Sequence, residues 1–305
     1  RFHLGSNTKA MTATMLARLV HDKRLTWNTT VEQIFSEDSA SFAPALRQVT
    51  VTQLLGHAAG LADFDELSSL PKEGTGTPTE RRKQFAFYVL RRKPAYAPGT
   101  SHLYSNAGPA IAAAMAERIT GRSWEDLMQS LLFEPLGMRA GFGWPARDDP
   151  HQPYGHGEKY FWRQVHDPHD KYQVPASIAP SGDVNANMRD YGRFVQMHLR
   201  GLIGRDDILS SAEIMLLHAI VPPDPAAGPH YAFGWGVQQV DSIESHVHAG
   251  STGMFYALVA VQPTCNLAVA VVTNAGDDAA GAAARSAFKT LLRRYRAFGG
   301  RCLGP

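Results

Sequence analysis

Ser6 and Lys9 lie three residues apart near the start of the chain, in Gly5-Ser6-Asn7-Thr8-Lys9. A serine hydroxyl is a weak nucleophile at neutral pH and needs a neighbour to take its proton. A lysine can do so once desolvation brings its pKa towards working pH. Apolar residues recur at Met11, Met15, Leu16, Leu19 and Val20, the spacing of one helix face. Ser6 therefore belongs to the first turn of a mostly buried helix, with Lys9 on the same side. Unpaired backbone N–H groups in that turn favour an anion forming beside Ser6. The residues alone equally allow a serine N-cap followed by a solvated lysine. The S-x-x-K pattern also occurs at Ser69/Lys72, in a loop, and at Ser286/Lys289, inside a C-terminal helix. Partners from elsewhere in the chain must decide between these readings.

Two further stretches offer such partners. Tyr104-x-Asn106 stands between the Pro98-Gly99 turn and a helix predicted from Ala107 to Ile119, closed by Gly121. A constrained connection at a helix start projects side chains into a cleft. His248-Ala249-Gly250-Ser251-Thr252-Gly253 ends a strand in glycines, which exposes backbone N–H groups and permits close approach of a substrate. His-x-Gly also occurs at His3-Leu4-Gly5, so this pattern is weak alone. His57 reads as a base or ligand, or more simply as a hydrogen-bonded structural histidine. His166-Asp167-Pro168-His169-Asp170 reads as a metal cluster or as the lip of a cleft. Proline splits it and no rigid element presents it, so the lip is preferred.

Around these stretches the hydrophobic pattern orders the elements. Thr52 is expected to cap a short helix that Gly60 stops, and Ser68 to Thr79 to be a loop. Helices are expected at Arg81 to Arg92, after Ser123, at Met188 to Leu199 and at Ser211 to His218. Trp144 to Val174 breaks the rhythm and is read as a long functional loop. From Tyr231 the period becomes strand-like, with four strands at Phe233–Gln239, Ser245–His248, Met254–Gln262 and Leu267–Thr273. The last two are continuously apolar, which calls for helices on both faces of the sheet. Ala280 to Phe298 should supply one and the helix carrying Ser6 the other. The fold class is α/β: an antiparallel sheet flanked by helices plus a mostly helical lobe. Residues 1–24 and 228–305 would form the α/β lobe, and 25–227 the helical lobe with active-site loops.

The composition, 44% hydrophobic and 19% charged over 305 residues, is that of an ordinary globular chain with a sizeable core. A net charge of +2 with mixed signs gives no nucleic-acid footprint and no polybasic membrane patch. No apolar run approaches the ~18–20 residues of a membrane span. Cys265 lies in an apolar run and Cys302 in a Gly-rich tail, so no disulfide framework is expected.

Taken together, Ser6-x-x-Lys9, Tyr104-x-Asn106 and His248-x-Gly250 resemble the class C β-lactamase and DD-peptidase superfamily, with its family VIII carboxylesterases and D-aminopeptidases. Leu54-Leu55-Gly56-His57-Ala58-Ala59-Gly60-Leu61, Glu134-Pro135-Leu136-Gly137-Met138 and Phe233-Gly234-Trp235-Gly236 also look like family stretches. The resemblance implies an acyl-enzyme on Ser6, with Lys9 and Tyr104 sharing the base role and Tyr104 protonating the leaving group. It implies that Asn106 bonds Lys9 and the substrate, that the N–H groups of Ser6 and Ser251 form the oxyanion hole, and that no metal or cofactor is needed. The expected partner is a small ester, amide or β-lactam. Where class C β-lactamases carry Lys-Thr-Gly this chain has His248-Ala249-Gly250, which weakens the case for anionic substrates. His248 is expected to hydrogen-bond Tyr104 as a neutral imidazole. Short-chain esters are therefore preferred, with weak β-lactam turnover. D-Ala-D-Ala or D-amino-terminal peptides are the alternative, and an inactive binding module the alternative of another class. Family members also carry a helix and strands ahead of the nucleophile, so the chain is expected to be N-terminally truncated, with one sheet edge exposed.

Overall fold

The computed structural model describes residues 1–64, 69–159, 162–223, 230–297 and 302. The first residue of the expected 68–79 loop, the 227/228 lobe boundary and the expected helix end at Phe298 lie outside them. Phe2–His3 forms strand β1, and Leu4 leads into a 3-10 turn, Gly5–Asn7, that continues as helix α1, Thr8–His21. Most of α1 is buried, in keeping with its near-continuous run of Ala, Met, Leu and Thr.

Short helices α2 (Val31–Ile34), α3 (Pro44–Arg47) and α4 (Val51–Leu55) follow. The cap of α4 is Thr50, reciprocated by Gln53, rather than Thr52. Next come α5 (Pro78–Leu90), α6 (Ala107–Thr120) and α7 (Trp124–Met128). Gly121 closes α6 in the left-handed conformation, φ 68°. Arg82 of α5, fully buried, forks onto Glu117 of α6 and Glu125 of α7, and donates to the carbonyl of Ala176 at 2.7 Å. A buried guanidinium needs such a full set of acceptors, and these tie three helices to the segment leading into the site.

The stretch expected to be one long loop contains its own structure. Strand β2 (Gly141–Phe142) stands just ahead of it, and it holds helix α8 (Pro145–Asp148) and a hairpin of β3 (His156–Lys159) and β4 (Trp162–Val165). The hairpin lacks an apolar alternation because both faces of β4 are exposed, so no period marks it in the sequence. Helix α9 (Ala179–Gly182) and strand β5 (Val184–Ala186) precede α10 (Met188–Leu202) and α11 (Ser211–Leu217). Strand β5 sits between β1 and β2, pairing Phe2 with Ala186 and His3 with Asn185.

The main sheet has five antiparallel strands in the order β10-β9-β8-β7-β6. They are β6 (His230–Tyr231), β7 (Gly236–Val240), β8 (Ile243–Ser251), β9 (Tyr256–Gln262) and β10 (Leu267–Thr273). Four follow the sequence reading, and two-residue β6 was too short to show. Helix α12 (Asp278–Ala297) lies on one face, setting Phe288 and Leu292 on Ala260 and Val269. The other face differs from expectation: α10 packs on β9 and β10, and the nucleophile helix meets β8 and β9 through its leading turn. Cys265 and Cys302 form a disulfide, contrary to the sequence reading. The tail returns to the β9–β10 turn after α12, a closure that 37 residues of separation do not reveal. No described helix is long and apolar enough to cross a membrane.

Candidate active site

Ser6 sits in the 3-10 turn and Lys9 one turn on, fully buried, with its Nζ 3.0 Å from Ser6 Oγ. Two more oxygens receive the amine: Asn106 Oδ1 at 2.7 Å and the carbonyl of Ser181 at 2.9 Å. All three acceptors are uncharged. Burial without a counter-ion pushes Lys9 down to about 7. In its neutral form the amine can keep two N–H bonds, to Asn106 and Ser181, and turn its lone pair to the serine hydroxyl.

Each acceptor is itself held. Asn106, at the head of α6, donates from Nδ2 to the carbonyl of Phe64, a residue with φ 49°. Ser181 of α9 donates its hydroxyl to the carbonyl of Asn106 at 2.5 Å, closing a loop between the two acceptors. Nothing in the sequence of Pro180-Ser181-Gly182 marks this role, because a carbonyl acceptor carries no residue signature.

Strand β8 reaches the nucleophile turn at a distance that only glycine permits. A Cβ on Gly250 would stand 2.2 Å from Leu4 O and 2.7 Å from Ser6 N. A Cβ on Gly5, whose φ is +51°, would lie 2.8 Å from Ser251 N. Strand β8 is thereby brought against the nucleophile turn, and Ser6 and Ser251 both line the cleft.

Tyr104 lines the cleft with Ser6, and Lys9 Nζ lies 4.7 Å from its ring centre. His57 supports it. The His57 carbonyl accepts from Leu103 N at 2.9 Å and Nδ1 from Ser105 N at 3.2 Å, bracketing the tyrosine. The His57 ring lies 4.4 Å from that of Tyr104, and burial, then Lys9, His102 and His248, hold its pKa well below the usual imidazole range. It is a neutral brace in the structure.

His248, on β8, is buried just ahead of Gly250, which meets the nucleophile turn. Its Nε2 meets the phenol of Tyr231 at 3.1 Å and its Nδ1 donates to the carbonyl of Ala249 at 2.7 Å. Burial, reinforced by Lys9, pushes it down to about 3, so with Nδ1 protonated its Nε2 accepts from Tyr231. Tyr231, on β6 beside β7, was passed over because its two-residue strand has no pattern to place it.

The cleft, about 440 Å³, is lined by Ser6, Tyr104, Asn106, Ser181 and Ser251, and closed by Trp144, Tyr172, Val174 and Ile178. Trp144 donates to the carbonyl of Tyr172 and stacks with its ring, while the Tyr172 hydroxyl donates to Thr252 O at 2.8 Å. His166 is buried behind this wall, 5.3 Å from the Trp144 ring. Among the described residues no three His, Cys, Asp or Glu side chains gather to hold a metal.

A part-buried serine hydrogen-bonded to a buried lysine stands at the junction of an antiparallel sheet and a helical layer, in a fold shared with penicillin-binding-protein homologues. The chain belongs to the Beta-lactamase family, which matches residues 1–292. It is similar to penicillin-binding protein 4 of Amycolatopsis lactamdurans, 27% identical over 90% of this chain and 72% of that one. It is also similar to the unguisins hydrolase ungD' of Aspergillus campestris, 26% identical over 90% of this chain and 52% of that one. Among solved structures, SurE superposes with a TM-score of 0.77 at 24% identity, covering 100% of this chain and 66% of that one. The octameric penicillin-binding protein homologue of Pyrococcus abyssi gives 0.75 at 22%, covering 95% and 66%. The chain thus spans about half the length of the unguisins hydrolase and about two thirds of SurE.

Proposed function

We propose that the chain hydrolyses small acyl substrates through an acyl-enzyme on Ser6, acting chiefly as a carboxylesterase on short-chain esters with weak β-lactamase activity. The observation that carries the reading is Lys9: fully buried, hydrogen-bonded to Ser6 Oγ, and facing only neutral acceptors. In this scheme neutral Lys9 takes the serine proton while Asn106 and Ser181 hold its remaining N–H groups. The Ser6 oxygen bonds the acyl carbon, and the carbonyl oxygen takes up the electron pair between the N–H groups of Ser6 and Ser251. Tyr104, beside Lys9, delivers a proton to the leaving group as its bond to the acyl carbon breaks, and recovers one from Lys9. Water then adds to the acyl carbon, the bond to Ser6 breaks, the acid leaves and the water's proton returns to Ser6.

The substrate preference rests on the cleft wall. Among the described residues lining it there is no lysine or arginine, and the far wall is aromatic and aliphatic. His248, where a cation would face a substrate carboxylate, is neutral and turned to Tyr231. A hydrogen bond to a charged group contributes about 1.5–3 kcal/mol, so an anionic substrate forgoes that much here. A second reading, amide hydrolysis of peptides, draws on the name of another relative, a "Putative D-alanyl-D-alanine carboxypeptidase" of Salmonella typhimurium, 22% identical over 90% of this chain.

Intact-mass analysis after treatment with a fluorophosphonate tests the acyl-enzyme: one adduct on wild type and none on Ser6→Ala. Steady-state rates on p-nitrophenyl butyrate, nitrocefin and a D-Ala-D-Ala peptide rank the substrates. Nitrocefin or the peptide outrunning the ester would end the esterase reading.

A further inference from the structure

The second His-x-Gly of the chain, His3-Leu4-Gly5, lies against the first, since Gly5 and Gly250 are the two glycines that touch. His3 is buried and belongs to β1, three residues ahead of Ser6. Its Nδ1 accepts from Gly5 N at 3.2 Å, and its Nε2 faces Asp183 Oδ1 at 3.2 Å. The ring packs 4.9 Å from Trp144. An imidazole that accepts at Nδ1 must carry its proton on Nε2, and a carboxylate at Nε2 selects that tautomer. The opposite tautomer would set two donors, Nδ1–H and Gly5 N–H, against each other.

The peptide on the far side of Gly5 is pinned as well. Thr8 Oγ1 donates to Gly5 O at 2.8 Å and accepts from Val184 N at 3.1 Å. Both peptide planes flanking the Gly5 Cα are therefore held, and the second of them carries the N–H of Ser6. Gly5 is the residue whose φ and ψ would otherwise turn that N–H most freely. On the strand side, His248 Nδ1 ties the carbonyl of Ala249, two residues before Ser251.

We propose that His3, its tautomer chosen by Asp183, is a positioning residue that sets the aim of the Ser6 N–H at the developing oxyanion. This rests on the acyl-enzyme reading and adds to it a residue that touches neither substrate nor nucleophile side chain. Losing one oxyanion donor outright costs about 10²–10³ in kcat, so loosening one should cost about 10–100-fold. Ground-state binding does not use that N–H, so KM should hold within about twofold.

The test measures kcat and KM on p-nitrophenyl butyrate, and the Ki of phenylboronic acid, whose serine adduct is tetrahedral. His3→Phe keeps a ring against Trp144 but offers no acceptor, His3→Asn restores an acceptor at Oδ1, and Asp183→Ala frees the tautomer. Circular dichroism and thermal melts verify folding, and the same substitutions at lower temperature serve any variant that melts early. The expected pattern is loss of kcat and of boronate affinity together in His3→Phe, partial recovery in His3→Asn, and a smaller loss in Asp183→Ala. The double variant His3→Phe/Asp183→Ala should be no worse than His3→Phe, because Asp183 acts through the imidazole. Full kcat in folded His3→Phe, or His3→Asn no better than His3→Phe, overturns the proposal while leaving the Ser6 adduct intact. Turnover that survives Ser6→Ala removes the acyl-enzyme reading, and this proposal with it.

Discussion

Lowering the pH from 8 to 5 should switch off Lys9 as a base, and its surroundings set how steeply. With its pKa at about 7, the neutral share falls from about nine-tenths at pH 8 to half at pH 7, a tenth at pH 6 and a hundredth at pH 5. If the neutral amine takes the proton of Ser6, kcat/KM on p-nitrophenyl butyrate should fall by about 100-fold across that range with a slope of one. The imidazoles nearby do not produce this limb, because His57 and His248 are held well below it by burial and by Lys9 itself. Two variants isolate the amine. Lys9→Arg supplies a guanidinium that stays protonated, so activity should be low at every pH with no limb near 7. Asn106→Ala removes one acceptor from the ammonium, a bond worth about 1.5–3 kcal/mol, and should move the limb downward by about one to two pH units. The assay is a pH–rate profile of kcat/KM in constant-ionic-strength buffers, with stability verified at each end. A limb that stays at its wild-type position in Asn106→Ala, or appears unchanged in Lys9→Arg, refutes the assignment of the titrating group.

Stability should carry the same signature. The folded pKa of Lys9 is lowered from 10.5 to about 7, so between those values the unfolded chain binds the extra proton. Stability should therefore rise with pH across that window in wild type relative to Lys9→Met, read as the difference in melting temperature. Arg82→Met should cost about 3–5 kcal/mol in urea unfolding, because the Glu117 carboxylate would remain buried without its partner. Gly250→Ala should lower kcat about 10–100-fold, since its methyl would press on Leu4 O and Ser6 N and push β8 off the nucleophile turn. Gly121→Ala, with nothing within 4 Å of the added methyl, should cost about 1–2 kcal/mol for its left-handed φ and leave kcat unchanged.

What the sequence disclosed follows from which interactions leave a period or a side-chain signature. Helices α5, α6 and α10 and the last strands were legible because one face or both are apolar, and Gly121 marked the end of α6 by capping chemistry. Ser6, Lys9, Tyr104 and Asn106 could be named because their types and contexts match a known set, and they converge in one cleft. The hairpin at His156–Val165 stayed hidden because an exposed strand has no buried face to alternate. Ser181 O, the His57 bracket around Tyr104 and the Tyr231–His248 contact stayed hidden because they join residues distant in sequence through backbone atoms or through side chains that also serve as ordinary core. The His3-x-Gly5 repeat was visible and looked accidental. Only the fold, by laying the Gly5–Asn7 turn against β8, sets the two His-x-Gly stretches side by side.

The choice of acceptors around Lys9 links base strength to substrate charge. A carboxylate beside the amine would favour the ammonium, raise its pKa by about one to three units and leave too little base at neutral pH. A fixed cation beside it would lower the pKa further but would repel the proton Lys9 must accept. Asn106 Oδ1 and Ser181 O avoid both extremes: they hold the amine in place through dipoles and let burial alone bring its pKa to about 7. The same logic keeps His248 uncharged, since Lys9 and burial oppose its protonation together. A neutral histidine leaves the β8 side of the cleft without a counter-ion for a carboxylate, so in the proposed reading the tuned base and the preference for uncharged acyl substrates arise from one electrostatic arrangement. Replacing His248 by lysine should therefore do two things at once. It should raise the relative rate on anionic substrates such as nitrocefin, and move the acid limb of kcat/KM below its wild-type position through repulsion of the Lys9 ammonium. A gain on nitrocefin with the limb unmoved would separate the two effects and break the argument.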